Sequence, residues 1–142
     1  MRNTLLVFVL LIVSNIILAQ NEPEDYLATF FDLVGKGKIT EAIEKMPANE
    51  KFDSDTSYTA KLLTKMEQLT QNSGEYCGYE IIEKDEVTAS YIVYTCFIKY
   101  MNVPLQIQFV FYKPKDAWQI NHIALSGQAR PTAAGRKPGF RK

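Results

Sequence analysis

Residues Leu105 to Leu125 read LQIQFVFYKPKDAWQINHIAL, and the fold is decided by this stretch. Leu105, Ile107, Phe109 and Phe111 alternate with Gln106, Gln108, Val110 and Tyr112, the period of a strand with one buried face. Lys113-Pro114-Lys115-Asp116 then forms a turn, with proline at the position that wants φ near −65°. After it Trp118, Ile120, His122 and Ala124 alternate with Gln119, Asn121, Ile123 and Leu125. If Tyr112 faces Ala117, Phe111 meets Trp118, Phe109 meets Ile120 and Ile107 meets His122. One side of the hairpin is then aromatic and aliphatic, and His122 shares it.

Working back toward the N-terminus, two more alternating runs precede this hairpin. Residues 76–83 and 90–100 flank Lys84-Asp85-Glu86-Val87-Thr88-Ala89, which reads as a hairpin connection. Symmetric pairing about Glu86 and Val87 places Cys77 opposite Cys96, Tyr79 opposite Tyr94 and Ile81 opposite Ile92. A turn at Met101-Asn102 sets Cys96 beside Ile107 and Tyr94 beside Phe109. Every inward position is then consistent across three hairpins. The outward face is mixed, with Tyr76, Tyr91, Val93, Phe97, Val110 and Tyr112 among glutamines, Thr95 and Asn121. A fully solvated sheet face carries fewer large apolar groups.

Before Glu75 the period is helical. Glu22-Pro23-Glu24-Asp25 opens a helix with proline in its first turn and acids at the positive end of its dipole. Tyr26, Leu27, Phe30, Phe31 and Val34 recur at helical spacing, and Gly35 or Gly37 closes it. A short second helix runs from Ile39 or Thr40 to Met46, where Pro47 stops it. The third starts after Ser54 or Asp55 as N-cap, buries Tyr58, Leu62, Leu63, Met66 and Leu69, and ends at Gln71-Asn72-Ser73-Gly74.

The flanking segments differ from this body. Residues 1–19 carry Arg2 and an unbroken apolar run from Leu5 to Val13, and they end on small Ala19, the pattern of a cleaved signal peptide. The run falls short of the ~20 residues that span a bilayer, which favours cleavage before Gln20 over a retained anchor. Export to the periplasm or beyond the cell is the expected destination, with no membrane association after cleavage. Residues 130–142, RPTAAGRKPGFRK, lack periodicity and read as a flexible basic tail. The domain proper is therefore residues 20–129.

Composition narrows the function further. The 142 residues are 46% hydrophobic and 23% charged, enough for one cored domain. Residues 20–129 hold ten Lys/Arg and sixteen Asp/Glu, a net charge of −6, whereas residues 130–142 hold five bases and no acid. An acidic body argues against nucleic acid as a partner, since phosphate binding needs a clustered basic face.

Three helices followed by a four-stranded antiparallel meander resemble the NTF2-like, or cystatin-like, α+β superfamily. Phe30-Phe31 before Gly35-Lys36-Gly37-Lys38, then Glu41-Ala42-Ile43, and the Phe109 to Ile120 hairpin with Trp118 are similar to its small secreted bacterial members. The resemblance covers Glu22 to Leu125 and implies N-terminal helices packed on a curved sheet that encloses a cone-shaped cavity. Isomerases, dehydratases, transport factors and binding modules share that fold, so function must be read from the site.

The residues able to carry chemistry are few. Cys77 and Cys96 are the only cysteines, and cross-strand pairing in an oxidising compartment makes a disulfide the expected state. His122 is the only histidine, with no inward carboxylates beside it to complete a metal site. Tyr79, Tyr94, Phe109, Phe111, Trp118 and His122 are the candidate pocket residues. The isomerases of the resembling family use a carboxylate base with a tyrosine and a neutral acid, and no clear carboxylate stands on the inward strand positions here. GxSxG, Walker, GxGxxG and HExxH motifs are absent from the sequence. The expectation is a non-catalytic binding or interaction domain without cofactor. It would take a small apolar ligand in the cavity or a protein on the sheet face, or pair as a weak homodimer through its outer sheet face. The alternative is a small isomerase- or hydrolase-like enzyme moving protons with His122, Tyr79 and Tyr94.

Overall fold

The computed structural model describes residues 21–50, 52 and 55–127. The expected signal segment 1–19 and the basic segment 130–142 lie outside the described residues. Three helices precede a four-stranded open antiparallel sheet: α1 (Pro23–Gly35), α2 (Ile39–Glu44), α3 (Thr56–Thr70), β1 (Tyr76–Thr88), β2 (Tyr91–Tyr100), β3 (Leu105–Tyr112) and β4 (Gln119–Ser126). Strand order follows chain order, so β1 and β4 are the two edges.

Local chemistry sets the helix ends. Pro23 occupies the first turn of α1, and the Glu22 N–H donates to Asp25 Oδ2 at 3.0 Å. At the other end Lys38 N–H bonds Leu33 O and Gly37 N–H bonds Val34 O, a closure that needs a left-handed residue. Gly37, at φ +73°, supplies it. Asp55 caps α3, its Oδ1 accepting from Tyr58 N–H at 2.9 Å.

The core lies between the helices and the inner sheet face. Phe30, Phe31, Ile107, Phe109 and Phe111 are fully buried. Phe31 stacks on Tyr79 at 4.0 Å and meets Phe109 edge-on at 5.9 Å, while Phe30 meets Phe109 at 5.0 Å. These offset and edge-to-face geometries add to the burial of large apolar area.

The β2–β3 pairing is as expected, with Tyr94 opposite Phe109 and Cys96 opposite Ile107. The other two pairings differ. β1 continues through Thr88 and turns tightly at Ala89–Ser90, so the proposed Lys84–Ala89 connection is strand. Tyr79 then faces Ile98, Ile81 faces Cys96, and Lys84 faces Tyr94. Cys77, Ile82 and Val87 are skipped at three register shifts. Each bulge adds an unpaired residue and sharpens the strand's bend and twist. Cys77 is therefore exposed at a bulge while Cys96 is buried, and both are free thiols; the expected bridge does not form.

In the β3–β4 hairpin Phe111 faces Ile120, Phe109 faces Ile123 and Ile107 faces Leu125. A bulge skips Asn121 and sets His122 opposite Val110, on the outer face. A one-residue slip exchanges the faces of every following side chain. Hence Ile123 and Leu125 are buried and His122 is exposed, the reverse of the expected placement.

Candidate functional site

The residues expected to line a cavity fall into two groups that the fold keeps apart. Tyr79, Tyr94, Phe109, Phe111 and Trp118 all belong to the hydrophobic cluster under α1. Their space is taken by Phe30, Phe31 and Tyr26, whose ring stacks near Phe111 at 6.4 Å. Two of the polar tips in this group are engaged. Tyr94 O–H donates to Glu24 Oε1 at 2.5 Å, and Trp118 Nε1–H donates to Glu22 Oε2 at 3.1 Å. Lys84 bridges Glu24 at 3.0 Å and Glu86 at 2.9 Å, and Lys113 Nζ sits 4.6 Å above the Trp118 ring.

This arrangement ties the start of α1 to the far ends of the two hairpins, and it shifts the groups involved. Burial raises the Tyr94 phenol well above its ordinary value, and the hydrogen bond to Glu24 adds to that. Burial also pushes the Glu24 carboxyl upward, but hydrogen bonds from Tyr94 and Lys84 outweigh it and hold the group below its usual value. Lys84 is raised by its hydrogen bonds to Glu86 and then Glu24. The Tyr94 hydroxyl proton is thus committed to Glu24, at the start of α1.

His122 stands elsewhere, with a partner that was read from sequence only as core. Its Nδ1 lies 3.2 Å from Tyr58 Oη, on the first turn of α3. The same hydroxyl accepts from Ile123 N–H at 2.9 Å and donates to Ile123 O. Tyr58 thus satisfies both backbone groups that Ile123 would offer to a fifth strand. Three residues earlier in β4, Ile120 N–H bonds Pro47 O at 2.6 Å and Asn49 Nδ2 donates to Ile120 O at 3.2 Å. The β4 edge is covered by these contacts, which protects it from pairing with another chain. Asn49, Phe52, Asp55 and Tyr58 join Asn121 and His122 around a cleft of about 270 Å³. Asp55 is legible in the sequence as an N-cap candidate; Asn49 is not singled out by it, and nothing local marks Asn121 as a bulge.

The outer sheet face is the third feature. Across it run the rows Asp85–Val93–Val110–His122, Glu83–Thr95–Gln108–Ala124 and Glu80–Phe97–Gln106–Ser126. Three acids therefore line one side of a band that holds Val93, Phe97 and Val110. Thr95 and Val110 are each only 7% exposed although they point away from the helices. Gln108 Nε2 donates to Thr95 Oγ1 at 3.3 Å. Glu80 pairs with Lys99 at 2.8 Å, whereas Glu83 and Asp85 form no ion pair among the described residues. Among the described residues no group of acids, His and Cys is placed to hold a metal ion, and no helix is long and apolar enough to cross a membrane. Comparison with protein-family models, curated proteins and solved structures finds no match.

Proposed function

We propose that this chain is an exported, non-catalytic interaction domain of the NTF2-like kind that binds a positively charged protein segment across its outer sheet face. The row Glu80, Glu83 and Asp85 beside Phe97, Thr95 and Val93 carries this reading. It combines an apolar centre, which drives association, with like charges along one border, which select a partner. A second copy would bring a second acidic row, so charge favours a basic partner over self-pairing. The NTF2-like assignment rests on the order of helices before a four-stranded meander and on the three bulges that bend β1. In this chain the concave side of such a cone would be occupied by Phe30 and Phe31, which turns attention to the convex side. Export is supported by Arg2 and the apolar run from Leu5 to Val13. The catalytic alternative required Tyr79, Tyr94 and His122 around one space; His122 instead meets Tyr58, and Tyr94 is bound to Glu24.

The test is fluorescence anisotropy with a labelled peptide of alternating lysine and tyrosine. Binding should weaken with salt, and Glu80→Gln with Glu83→Gln and Asp85→Asn should cost about tenfold in affinity, each exposed pair being worth under ~1 kcal/mol. Phe97→Glu should remove the apolar centre and abolish binding. Peptide binding indifferent to all four changes would discard the reading. Sedimentation that shows the free protein dimerising, and Phe97→Glu with Val110→Lys preventing it, would replace the basic partner by a second copy.

A further inference from the structure

We propose that the basic segment 130–142 of this same chain docks on the outer sheet face and shields it from other partners. The surface is the one assigned above to a basic partner, so this regulation rests on that reading. The segment carries Arg130, Arg136, Lys137, Arg141 and Lys142 and no acid. On the face, Glu83 and Asp85 are exposed and form no ion pair among the described residues, while Glu80 is shared with Lys99. Acids elsewhere are taken: Glu24, Asp32 and Glu41 each have a lysine within 3.1 Å. The helix α3, whose Leu69 lies against Gly127, carries Lys61 and Lys65 against Glu67. It offers no net negative charge to hold a basic segment.

The segment begins within reach of the acidic row. β4 ends at Ser126, which pairs with Gln106 in the row that runs through Phe97 to Glu80. Three strand spacings, about 14 Å in all, separate Ser126 from Glu80. The ten residues from Ser126 to Arg136 can span up to ~33 Å. Glu80 and Asp85 stand opposite Phe97 and Val93, four residues apart on β2, so the acidic row is about 13 Å long. Arg136-Lys137 and Arg141-Lys142 form two basic pairs, their first members five residues apart and at most ~17 Å from each other. The two pairs therefore match the two ends of the row. Phe140 falls between them, where Val93 and Phe97 offer apolar contact.

Tethering decides the occupancy. A few exposed ion pairs and one aromatic contact make a weak site, with a Kd on the order of 0.1 mM for such a segment free in solution. Held on the same chain, it acts at an effective concentration in the millimolar range. At about 1 mM the face is filled roughly ten times out of eleven, and a competing basic segment binds about tenfold more weakly. A partner must then displace segment 130–142, which sets a threshold on its concentration or its charge.

The test uses the purified protein with a nitroxide on Cys77, an exposed thiol three residues before Glu80. In NMR spectra the amide resonances of residues 136–142 should broaden at low salt and recover at about 0.5 M NaCl, where screening acts within ~5 Å. They should recover as well in Glu80→Gln with Glu83→Gln and Asp85→Asn. Sharp resonances at low salt, or broadening that survives both the salt and the triple variant, would overturn the proposal. So would broadening passed from a spin-labelled chain to an isotope-enriched second copy, which would give the face to a neighbour's segment. The lysine–tyrosine peptide supplies the second arm. Arg136→Glu, Lys137→Glu, Arg141→Glu and Lys142→Glu together should raise its affinity about tenfold. Equal, measurable binding to the parent and this variant would keep the basic-partner reading and discard the docked segment. Resonances that broaden and recover as stated, with a peptide that binds neither form, would keep segment 130–142 as the occupant and discard the basic partner.

Discussion

Replacing Tyr58 by Phe removes one oxygen atom and tests how β4 is held at its edge. The ring would still pack edge-on against Phe52 at 5.4 Å, so apolar burial is unchanged. What goes is the hydroxyl that accepts from Ile123 N–H and donates to Ile123 O, both in part-buried surroundings. A net hydrogen bond is worth about 1 kcal/mol, and a buried backbone group left bare costs about 1–3 kcal/mol. Water reaching one of the two groups offsets part of that, so the expected loss is about 2 kcal/mol. For a domain of this size that lowers Tm by roughly 8 °C, at ~4 °C per kcal/mol. Urea unfolding should show a reduced midpoint at unchanged slope, and the Ile123 amide should exchange faster in hydrogen-exchange NMR. Tyr112→Phe, on a side chain 40% exposed, serves as the control and should stay within about 0.5 kcal/mol of the parent. If Tyr58→Phe matches that control and Ile123 keeps its protection, the hydroxyl does not close the edge and the reasoning fails.

Three further outcomes follow from the same packing. Cys77 is exposed, while burial pushes the Cys96 thiol up to about 12, so a thiol reagent should label one cysteine at once and the second only on unfolding; an unfolded, unreduced chain with no reactive thiol would mean the bridge exists after all. Burial raises the phenols of Tyr58, Tyr76, Tyr94 and Tyr100, the last to about 12. Groups raised in the folded state stabilise it fully below their unfolded value near 10, so stability should decline as pH climbs past ~10; tyrosine absorbance titrating at one ordinary midpoint would contradict this. Phe31→Ala empties a site bounded by Phe30, Tyr79 and Phe109 and should cost about 3–5 kcal/mol, enough to abolish most of the cooperative thermal transition; a fall in Tm of only a degree or two would show that the core can collapse into the space.

Periodicity alone determined the order and type of the seven elements named above among the described residues, because burial on one face imposes period 3.6 on helices and period 2 on strands whatever their partners. Capping chemistry at Glu22-Pro23 and Asp55 likewise placed helix starts, since those groups act within one turn of chain. The β2–β3 register was legible for a related reason: the short turn after Tyr100 leaves little room for another pairing. The position of the β1–β2 turn was not legible, because Lys84 to Ala89 carries no turn residue strong enough to override strand pairing, and the ladder extends to Thr88. With it went the Cys77–Cys96 pairing, although Gly78 inside a strand was a visible hint of the bulge at Cys77. His122 shows the same limit at one residue's scale. Its alternation with Ile120 pointed inward, but Ile123 and Leu125 are larger apolar groups than Ala124, and burying both requires Asn121 to bulge. That choice depends on which face α3 and the inner side of β3 can cover, a property of packing between elements distant in the chain. It moved His122 from the core to Tyr58, 64 residues away in sequence, and brought the cleft together.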